Sequence, residues 1–478
     1  MFNDDNWDED AEEIQDIIAV YEALKQGSAT RLLDVEEFEL LIDYFFQENK
    51  EPEAFLACNM ALEYYPKATT IKFFKAELLF HSQKLRQALV LLDEVEALEP
   101  HNLDVVLLKS EIFVAQMKPE DAAQYLTQKI TNFKGRERID LLLELADVYD
   151  ECEEYEKIFE TLETVLSIDK RNEEALHKIS FWSDYAGLQE RSAVLFKKIL
   201  DEDPYNSIAW FNLGVAYQGL KMFEDAVEAY EYCTAIDDSF EFAFRNMADA
   251  SIRLKWYDKA IESLERNLEL GNPEDVIYEA LGLCFEKQKD YEKARFYYRK
   301  AIQLNPTDDK MFFKIGESYF KEQEYAKAKH SIAVALQINQ ENAMYYVAFA
   351  NCLLELDAEE TEVVNAFLSA IKLKPVSKTV WTNFMKALFR LELFESMYEN
   401  SLLYLDMDDD RPEFEYYTVA ALIKLGKVNE ALVRLGNVLH IIPKKVKMLT
   451  ELDPSFLQRK AIVDLISGYN AGGTSRKA

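Results

Sequence analysis

The chain has 478 residues, of which 49% are hydrophobic and 13% aromatic, so it has enough apolar side chain to fold and is not disordered as a whole. Its 88 acidic residues outnumber its 54 basic ones, which gives a formal net charge of −34, and no block of five Lys or Arg occurs. We therefore expect neither double-stranded nucleic acid nor an anionic membrane as a partner, because both repel such a surface.

Secretion and membrane insertion are also disfavoured. The first ten residues, MFNDDNWDED, are acidic and no apolar segment follows them, so we expect no cleavable signal peptide. No run approaches the roughly 18 apolar residues of a membrane-spanning helix. The cysteines are scattered without a CxxC pair, which predicts reduced core thiols in a cytoplasmic protein. They are Cys58, Cys152, Cys233, Cys284 and Cys352.

Residues 1–34 are predicted to form an acidic N-terminal tail and a capping helix. Residues 11–25 have the apolar spacing of an amphipathic helix, and residues 1–10 are predicted to be mobile. The tail carries Phe2 and Trp7, and two interpretations stay open. It folds back onto a basic part of the chain and competes with a partner, or it only solvates this end of the molecule.

From residue 35 onwards the sequence repeats with a period of 34 residues. In the copy that starts at Ser207, Trp210 stands at position 4, Gly214 at position 8 and Ala226 at position 20. Position 1 at Val35 defines twelve units that start at residues 35, 69, 103, 139, 173, 207, 241, 275, 309, 343, 378 and 412. Position 20 collects Ala54, Ala88, Ala122, Ala226, Ala260, Ala294, Ala328 and Ala431, and position 32 collects Pro66, Pro100, Pro204, Pro306, Pro375 and Pro443.

These positions predict a pair of helices in every unit. Positions 4, 7 and 11 share one helix face, and small residues at positions 8 and 20 let two helices approach closely. Proline at position 32 cannot continue the second helix, so the turn falls there. Four units lack Ala at position 20, which puts their local packing in doubt. Those units have Ile158, Ser192, Val363 and Met397.

The pattern W-x2-L-G-x2-Y…A-x3-F…P resembles the tetratricopeptide repeat over about 410 residues, 35–445. The resemblance implies an all-α solenoid of antiparallel helix pairs that coils into a right-handed superhelix. Such an array needs atypical ends. We therefore expect residues 446–478 to supply C-terminal capping helices, over 446–468, and a mobile tail, over 471–478.

No catalytic, cofactor or metal constellation stands out. The five histidines are scattered along the chain without HExxH or HxH spacing, and no phosphate-binding glycine loop or GxSxG motif occurs. Carboxylate pairs carry little information in so acidic a chain. The sequence therefore predicts a non-enzymatic protein without cofactor or metal.

The resemblance also implies that positions 2, 5, 9, 12 and 13 of the first helices line a concave groove. In the first five units these positions hold no Lys or Arg but many acids, and the predicted acidic half of the groove is Glu36, Glu39, Asp43, Glu77, Asp104, Glu111, Asp140, Asp147 and Asp184. From the seventh unit onwards bases appear, and the predicted basic half is Arg245, Arg253, Lys310, Lys314, Lys321, Lys386 and Arg390. Aromatic residues accompany the acids: Phe46, Phe73, Phe80, Phe181 and Tyr185.

The groove is thus predicted to be charge-polarised, with a basic partner segment on the acidic half and an acidic segment or carboxylate on the basic half. A simpler alternative stays open, because acids in the first turn of a helix are favoured by its dipole and groove aromatics can pack between units. Some family members bind a C-terminal carboxylate through Lys and Asn at positions 5 and 9, Asn at position 6 of the next unit, and Lys and Arg at positions 2 and 6 of the third. The best match, in units seven to nine, is broken by Asp249 and Ala280, so only a looser anion contact is expected there.

We therefore expect a non-enzymatic scaffold or adaptor that captures a segment of a protein partner in its groove. Two alternatives come from other classes of protein. One is a structural subunit that self-associates through apolar end faces, and the other is an accessory subunit that regulates a separate enzyme. The sequence leaves the oligomeric state open.

Overall fold

The structure, a computed structural model, describes residues 5–271, 273–407 and 411–473. In these residues it contains 27 α-helices, four short 3-10 helices and no strand, which confirms the predicted all-α class. The chain divides into two compact units, Met1–Asn246 (unit 1) and Met247–Ala478 (unit 2). The division falls inside the helix Glu241–Leu254, and the sequence has no Gly, Ser or Pro-rich linker at this point.

Unit 1 is a stack of antiparallel helix pairs joined by short turns. It contains α1 (Asp5–Lys25), α2 (Val35–Gln47), α3 (Glu51–Tyr64), α4 (Thr69–His81), α5 (Leu85–Leu98), α6 (Leu103–Ala115), α7 (Pro119–Lys129), α8 (Gly135–Glu151), α9 (Tyr155–Ile168), α10 (Glu173–Tyr185), α11 (Gln189–Glu202), α12 (Ser207–Gly219), α13 (Phe223–Ile236) and the start of α14 (Glu241–Leu254). A 3-10 turn, Ile130–Asn132, follows α7.

Unit 2 continues the same alternation. It contains the rest of α14, then α15 (Tyr257–Leu270), α16 (Asp275–Lys287), α17 (Tyr291–Leu304), α18 (Asp309–Lys321), α19 (Tyr325–Ile338), α20 (Ala343–Glu355), α21 (Glu360–Leu373), α22 (Lys378–Arg390), α23 (Phe394–Met407), α24 (Glu415–Lys424), α25 (Val428–Ile441), α26 (Lys447–Leu452) and α27 (Lys460–Gly473). Three 3-10 turns precede α24, α26 and α27. We call the even-numbered helices from α2 to α24 first helices and their odd-numbered successors, from α3 to α25, second helices.

Ten of the twelve first helices begin at the residue that the repeat numbers as position 1. Side chains just before them cap several of these starts, as Asn172 and Asn206 do by accepting backbone N–H bonds of 2.8 and 2.9 Å. The two exceptions correct the sequence boundaries. Helix α8 begins at Gly135, four residues before the predicted start of its unit, and α24 begins at Glu415, after a 3-10 turn.

The packing inside each pair follows the repeat positions. A Cβ added to Gly214, at position 8, would lie 2.5 Å from the ring of Tyr230 at position 24, and one on Gly316 would lie 2.5 Å from Ile332. Glycine is therefore required where a large second-helix residue presses on the first helix. Position 20 is also filled in the four units without Ala, because its side chain is fully buried in each of them: Ile158, Ser192, Val363 and Met397.

The turn between the two helices of a pair has one recurring feature. Position 15 has a positive φ in all twelve units, and only two of these residues are glycines. Left-handed backbone is costly for any residue with a Cβ. The ten others are Asn49, Gln83, Met117, Glu153, Lys221, Lys255, Lys289, Gln323, Asp357 and Glu392.

Helices stand at both ends of the described residues. Helix α1 starts at Asp5, six residues before the predicted capping helix, and buries Ile17 and Tyr21 against the first pair. At the other end α26 and α27 bury Leu449 and Ile462. Of the segments predicted to be mobile, 1–10 and 471–478, residues 5–10 lie in α1 and residues 471–473 in α27, and the others lie outside the described residues. The side chains of Phe2 and Trp7 also lie outside the part that the structure describes. The right-handed superhelix stays a prediction.

Lys424 at the end of α24 ties the C-terminal helices to the last repeat. Its ammonium group lies 2.5 Å from a carboxylate oxygen of Asp453 and over the rings of Phe389, Phe394 and Phe456, at 5.3, 5.9 and 5.5 Å from their centroids. The bond from Lys424, together with hydrogen bonds from Ser455, lowers the pKa of Asp453 to about 2. This lysine, which the repeat would have added to the basic residues of the groove, is thus part of the C-terminal cap.

Candidate functional site

The first helices of unit 1 lie side by side, so residues from successive repeats meet on one face. Ser110 of α6 donates a hydrogen bond of 3.0 Å to Glu144 of α8, and Lys178 of α10 lies 2.7 Å from Asp147 of α8. The Nδ2 atom of Asn212 on α12 donates to the carbonyl of Leu176 on α10 at 2.8 Å. Because these bonds join residues about 34 apart in the chain, the repeat period places equivalent side chains next to each other.

Four predicted acids come together on this face. Burial raises the pKa of Glu77 on α4, and the carboxylates of Glu111, Asp104 and Asp43 raise it further, while His81 lowers it. Acids on both α2 and α6 therefore interact electrostatically with this carboxylate on α4. We call these four acids, with Glu144 and Asp147 of α8, the acidic surface.

Glu144 was missed by the sequence prediction. It stands at position 6, which was not counted as a groove position, and it is half-buried beside Ser110. Burial raises its pKa, as do Glu111 and Asp147, so it joins the same group of like charges. Lys178, also at position 6, was missed in the same way and partly neutralises this end by pairing with Asp147 and Glu174. Counting position 6 in the sequence would have found both residues.

The other predicted acids are not brought into this group by any contact in the described residues. Glu36 is exposed in the first turn of α2, where the helix dipole favours acids, whereas Asp140 is half-buried in the second turn of α8. Glu39 accepts a hydrogen bond from Thr70 of the next first helix. Asp184 lies farther along, on α10, where it accepts a bond of 3.1 Å from Gln189.

The aromatic residues predicted beside the acids separate into two sets. Phe181 and Tyr185 of α10 are 63% and 66% exposed. By contrast, the three from the first two repeats are half-buried, and two of them pack against the His81 ring. Those three are Phe46, Phe73 and Phe80. Only the α10 pair offers large apolar area to a ligand.

Several predicted basic residues already have acidic partners. In unit 2, Glu286 of α16 is buried and is paired with Lys321 at 2.7 Å and Lys314 at 3.9 Å. Arg390 pairs with Glu355 at 2.5 Å, and Arg253 lies 3.7 Å from Asp249 within α14. Lys310 and Lys386 are exposed and form no ion pair with a described residue, while Arg245 lies half-buried on α14 in unit 1. The sequence did not predict this pairing, which neutralises most of the predicted basic residues of unit 2.

A pocket of about 220 Å³ opens between three first helices of unit 2, α18, α20 and α22. Phe313, Phe320, Ile332, Met344, Val347 and Ala348 form its apolar lining, and Glu317, Lys321, Asn351 and Asn383 its polar lining. The half-buried Asn351 makes no hydrogen bond to a described residue, whereas Asn383 donates to the carbonyl of Thr379 at 2.8 Å. The pocket thus combines apolar walls with an amide that is available to a ligand.

The two asparagines are also the amide positions of the carboxylate clamp, position 9 of one unit and position 6 of the next. The sequence comparison missed them because it started from the bases. The positions that hold bases in the clamp have Val347, Glu413 and Tyr417 here, and the lysine of the lining, Lys321, is paired with Glu286. This geometry suits an uncharged part of a ligand, such as a peptide backbone.

The described residues hold no group of three or more His, Cys, Asp and Glu residues placed to bind a metal ion. Four cysteines are buried thiols, and burial raises the pKa of each to about 12, as in Cys233. No described helix is both long enough and apolar enough to cross a membrane.

Sequence models of the tetratricopeptide repeat match residues 195–228 and 276–308. The second match coincides with the eighth predicted unit to within one residue. No curated protein matches the chain.

Solved structures with similar folds include YrrB, described as a protein of this repeat class with an unusual peptide-binding site, at 19% identity over 39% of this chain and 94% of YrrB, with a TM-score of 0.34. PilF of Pseudomonas aeruginosa is 22% identical over 45% of this chain and 98% of its own, with a TM-score of 0.37. The Cut9–Hcn1 hetero-tetramer contributes a chain 12% identical over 91% of this chain and 89% of its own, with a TM-score of 0.33. Similarity this low carries no information about partner or activity.

The 34-residue period, the helix pairs that follow it and the two repeat models that match inside it lead to one conclusion. The chain is a tetratricopeptide-repeat protein, built as an all-α solenoid.

Proposed function

We propose that the protein is a non-enzymatic scaffold that captures a segment of a partner protein on the face formed by its first helices. The observation that carries the proposal is the pocket between α18, α20 and α22. Tetratricopeptide repeats support a protein-interaction role in general. The pocket adds a specific place where a partner side chain can be bound.

The pocket is suited to an apolar side chain on a peptide. Its walls include the aromatic rings of Phe313 and Phe320 and the side chain of Val347. An aliphatic or aromatic group inserted between them would therefore be removed from water. The amide of Asn351 at the same opening can donate to or accept from the peptide backbone beside that group. A few such anchors supply most of the affinity in peptide recognition.

The acidic surface supports the same function in unit 1 with a different ligand chemistry. Carboxylates from α2, α4, α6 and α8 lie close enough to raise the pKa of Glu77 and Glu144. Holding like charges together destabilises the fold, so a functional role is expected to explain why these carboxylates are clustered. A basic partner segment would be attracted to this surface and oriented by it.

Replacement of Ala348 by Phe tests the pocket, because the added ring would occupy it. Ala326→Phe is the matched control, since Ala326 is exposed and lines a different cavity, beside α19. The tagged full-length variants are compared by co-purification and quantitative mass spectrometry. We expect Ala348→Phe to remove partners that Ala326→Phe keeps. Retention of every partner by Ala348→Phe would disprove the pocket as the capture site.

Charge reversal tests the predicted acidic and basic halves of the groove in the same assay. Glu39, Asp43, Glu77 and Asp140 are changed to Lys for unit 1, and Lys386 and Arg390 to Glu for unit 2. We expect the first set to release basic partners. Unchanged binding after either set removes the corresponding surface from the proposal.

A further inference from the structure

We propose that unit 1 binds an arginine-rich segment through four aromatic side chains at the C-terminal end of α10. This aromatic patch consists of Tyr155 at the start of α9 and Phe181, Trp182 and Tyr185 on α10. The inference rests on the proposed function, because it names the partner chemistry for one of the binding faces.

The rings of the patch pack against one another but leave two of their number open to solvent. Trp182 stacks on Tyr155, with centroids 5.5 Å apart and planes 19° apart, and it meets Phe181 and Tyr185 edge-on at 4.9 and 5.9 Å. Tyr155 meets Tyr185 at 5.0 Å. Phe181 and Tyr185 nevertheless stay 63% and 66% exposed. The inner rings therefore hold the outer two in place as a rigid apolar surface.

No Lys or Arg of the described chain stacks on any ring of this patch. Elsewhere in unit 1 such contacts are common. Lys157 lies 5.4 Å from the ring centre of Tyr149, Arg191 lies 4.8 Å from that of Phe159, and Lys197 lies 5.3 Å from that of Tyr217. The patch thus lacks a type of partner that other rings of the same unit obtain from the chain itself.

Carboxylates surround the patch. Asp184 directly precedes Tyr185, and burial together with Glu151 and Asp147 raises the pKa of Asp150. The pKa of Tyr155 is raised by its contact with Tyr185 and by the charges of Glu153 and Asp150. Lys178, which precedes Phe181 by three residues on α10, is held by Asp147 and Glu174. The region therefore attracts a cation and repels an acidic ligand.

Arginine fits this combination better than other side chains. Its planar guanidinium stacks on an aromatic face while its N–H groups donate to carboxylates at the ring edge. Lysine presents a compact, strongly hydrated charge that gains less from the ring. An apolar side chain would cover the rings but would also strip water from the neighbouring carboxylates without pairing them. The occupant is therefore an arginine-rich segment.

The test uses purified full-length protein and three fluorescein-labelled peptides in which Ser alternates with Arg, Lys or Glu. Fluorescence anisotropy measures the affinity for each peptide. We expect the Arg peptide to bind more tightly than the Lys peptide and the Glu peptide not to bind. Phe181→Ala with Tyr185→Ala is expected to weaken Arg-peptide binding at least tenfold, because two stacking faces are lost. Asp150→Asn with Asp184→Asn is expected to weaken binding and to reduce its salt dependence.

The matched control is Tyr205→Ala with Phe296→Ala, which removes two exposed rings outside the patch and should leave binding unchanged. Equal affinity of the Phe181→Ala, Tyr185→Ala variant and the unchanged protein overturns the proposal, and so does equal binding of the Lys and Arg peptides. Since both rings are exposed, circular dichroism should show an unchanged fold, and the Asp variants give a second test that leaves every ring in place. If only the peptide assay fails while Ala348→Phe still releases partners, the patch is disproved and the scaffold function stands.

Discussion

Replacement of Lys321 by Met should destabilise unit 2, although this lysine stands at a position predicted to bind a ligand. Lys321 lies 2.7 Å from a carboxylate oxygen of Glu286, whose side chain is only 5% exposed. The variant keeps the aliphatic length of the side chain and removes its charge. Glu286 would then remain buried with the hydroxyl of Tyr298 at 2.8 Å and the more distant ammonium of Lys314 at 3.9 Å.

The expected loss is about 1–2 kcal/mol. A hydrogen bond to a charged group contributes roughly 1.5–3 kcal/mol, and the upper part of that range does not apply because Lys321 is 42% exposed and Glu286 keeps two other contacts. Although burial alone would raise the pKa of Glu286, the bonds from Lys321 and Tyr298 lower it overall. A lowered carboxyl pKa stabilises the fold above the unfolded pKa, so the difference between variant and parent should shrink as the pH falls below about 4.

Hydrogen–deuterium exchange measures the effect locally, which is needed because a long repeat array does not unfold in one step. Peptides from α16 and α18 should exchange about 5–30 times faster in Lys321→Met. Lys386→Met is the control, because Lys386 has no ion pair with a described residue and should change stability by less than about 0.5 kcal/mol. Equal exchange in the two variants would refute the structural role of Lys321.

Three further predictions concern other parts of the fold. Met117→Gly should stabilise the protein by about 0.5–1 kcal/mol, seen as a higher thermal midpoint, because φ is 60° there; Gly187→Ala, at φ 72°, should do the reverse. Glu77→Gln should stabilise unit 1 at pH 7 in urea titrations, because burial and nearby carboxylates raise its folded pKa; this gain should vanish below about pH 4, where both states are protonated. Lys424→Met should speed exchange in α26 and α27 through loss of the bond to Asp453.

Each of these predictions has an outcome that contradicts it. An unchanged or lower midpoint in Met117→Gly would mean that the left-handed turn carries no cost. A stability gain of Glu77→Gln that is the same at pH 3 and pH 7 would show that ionisation of Glu77 is not its cause. Unaltered exchange beyond Val446 in Lys424→Met would show that the C-terminal helices are held by apolar packing alone, through residues such as Leu449 and Phe456.

The helix pairs were predictable because they follow from local spacing. Small residues such as Gly214 mark a close approach, and position 1 marks most of the first-helix starts. The start of α8 was not predictable in this way, because the chain before it leaves the 34-residue spacing and a 3-10 turn intervenes. The division inside α14 was not predictable either, since the helix continues through it and the sequence has no linker there.

The candidate site was predictable only in part. The period predicts Asp43, Glu77 and Glu111 on one face, because equivalent positions of successive repeats become neighbours, and the charges of Asp43 and Glu111 do act on Glu77. The period gave no information on which charged side chains are already paired with an opposite charge in the same chain. The pairing of Arg390 with Glu355 and of Lys321 with Glu286 depends on side-chain reach across helices, which repeat position alone does not specify.

The acidic surface has a consequence for how unit 1 responds to its surroundings. Dissolved ions weaken the mutual repulsion of Asp43, Glu77, Asp104 and Glu111, so salt should raise the stability of these repeats. Salt has the opposite effect on proteins that are stabilised by surface ion pairs. A cationic peptide bound across α2, α4, α6 and α8 would neutralise these carboxylates at far lower concentration, and it would also stabilise neighbouring repeats against opening. Capture of such a peptide and rigidity of the array are then two results of one neutralisation event.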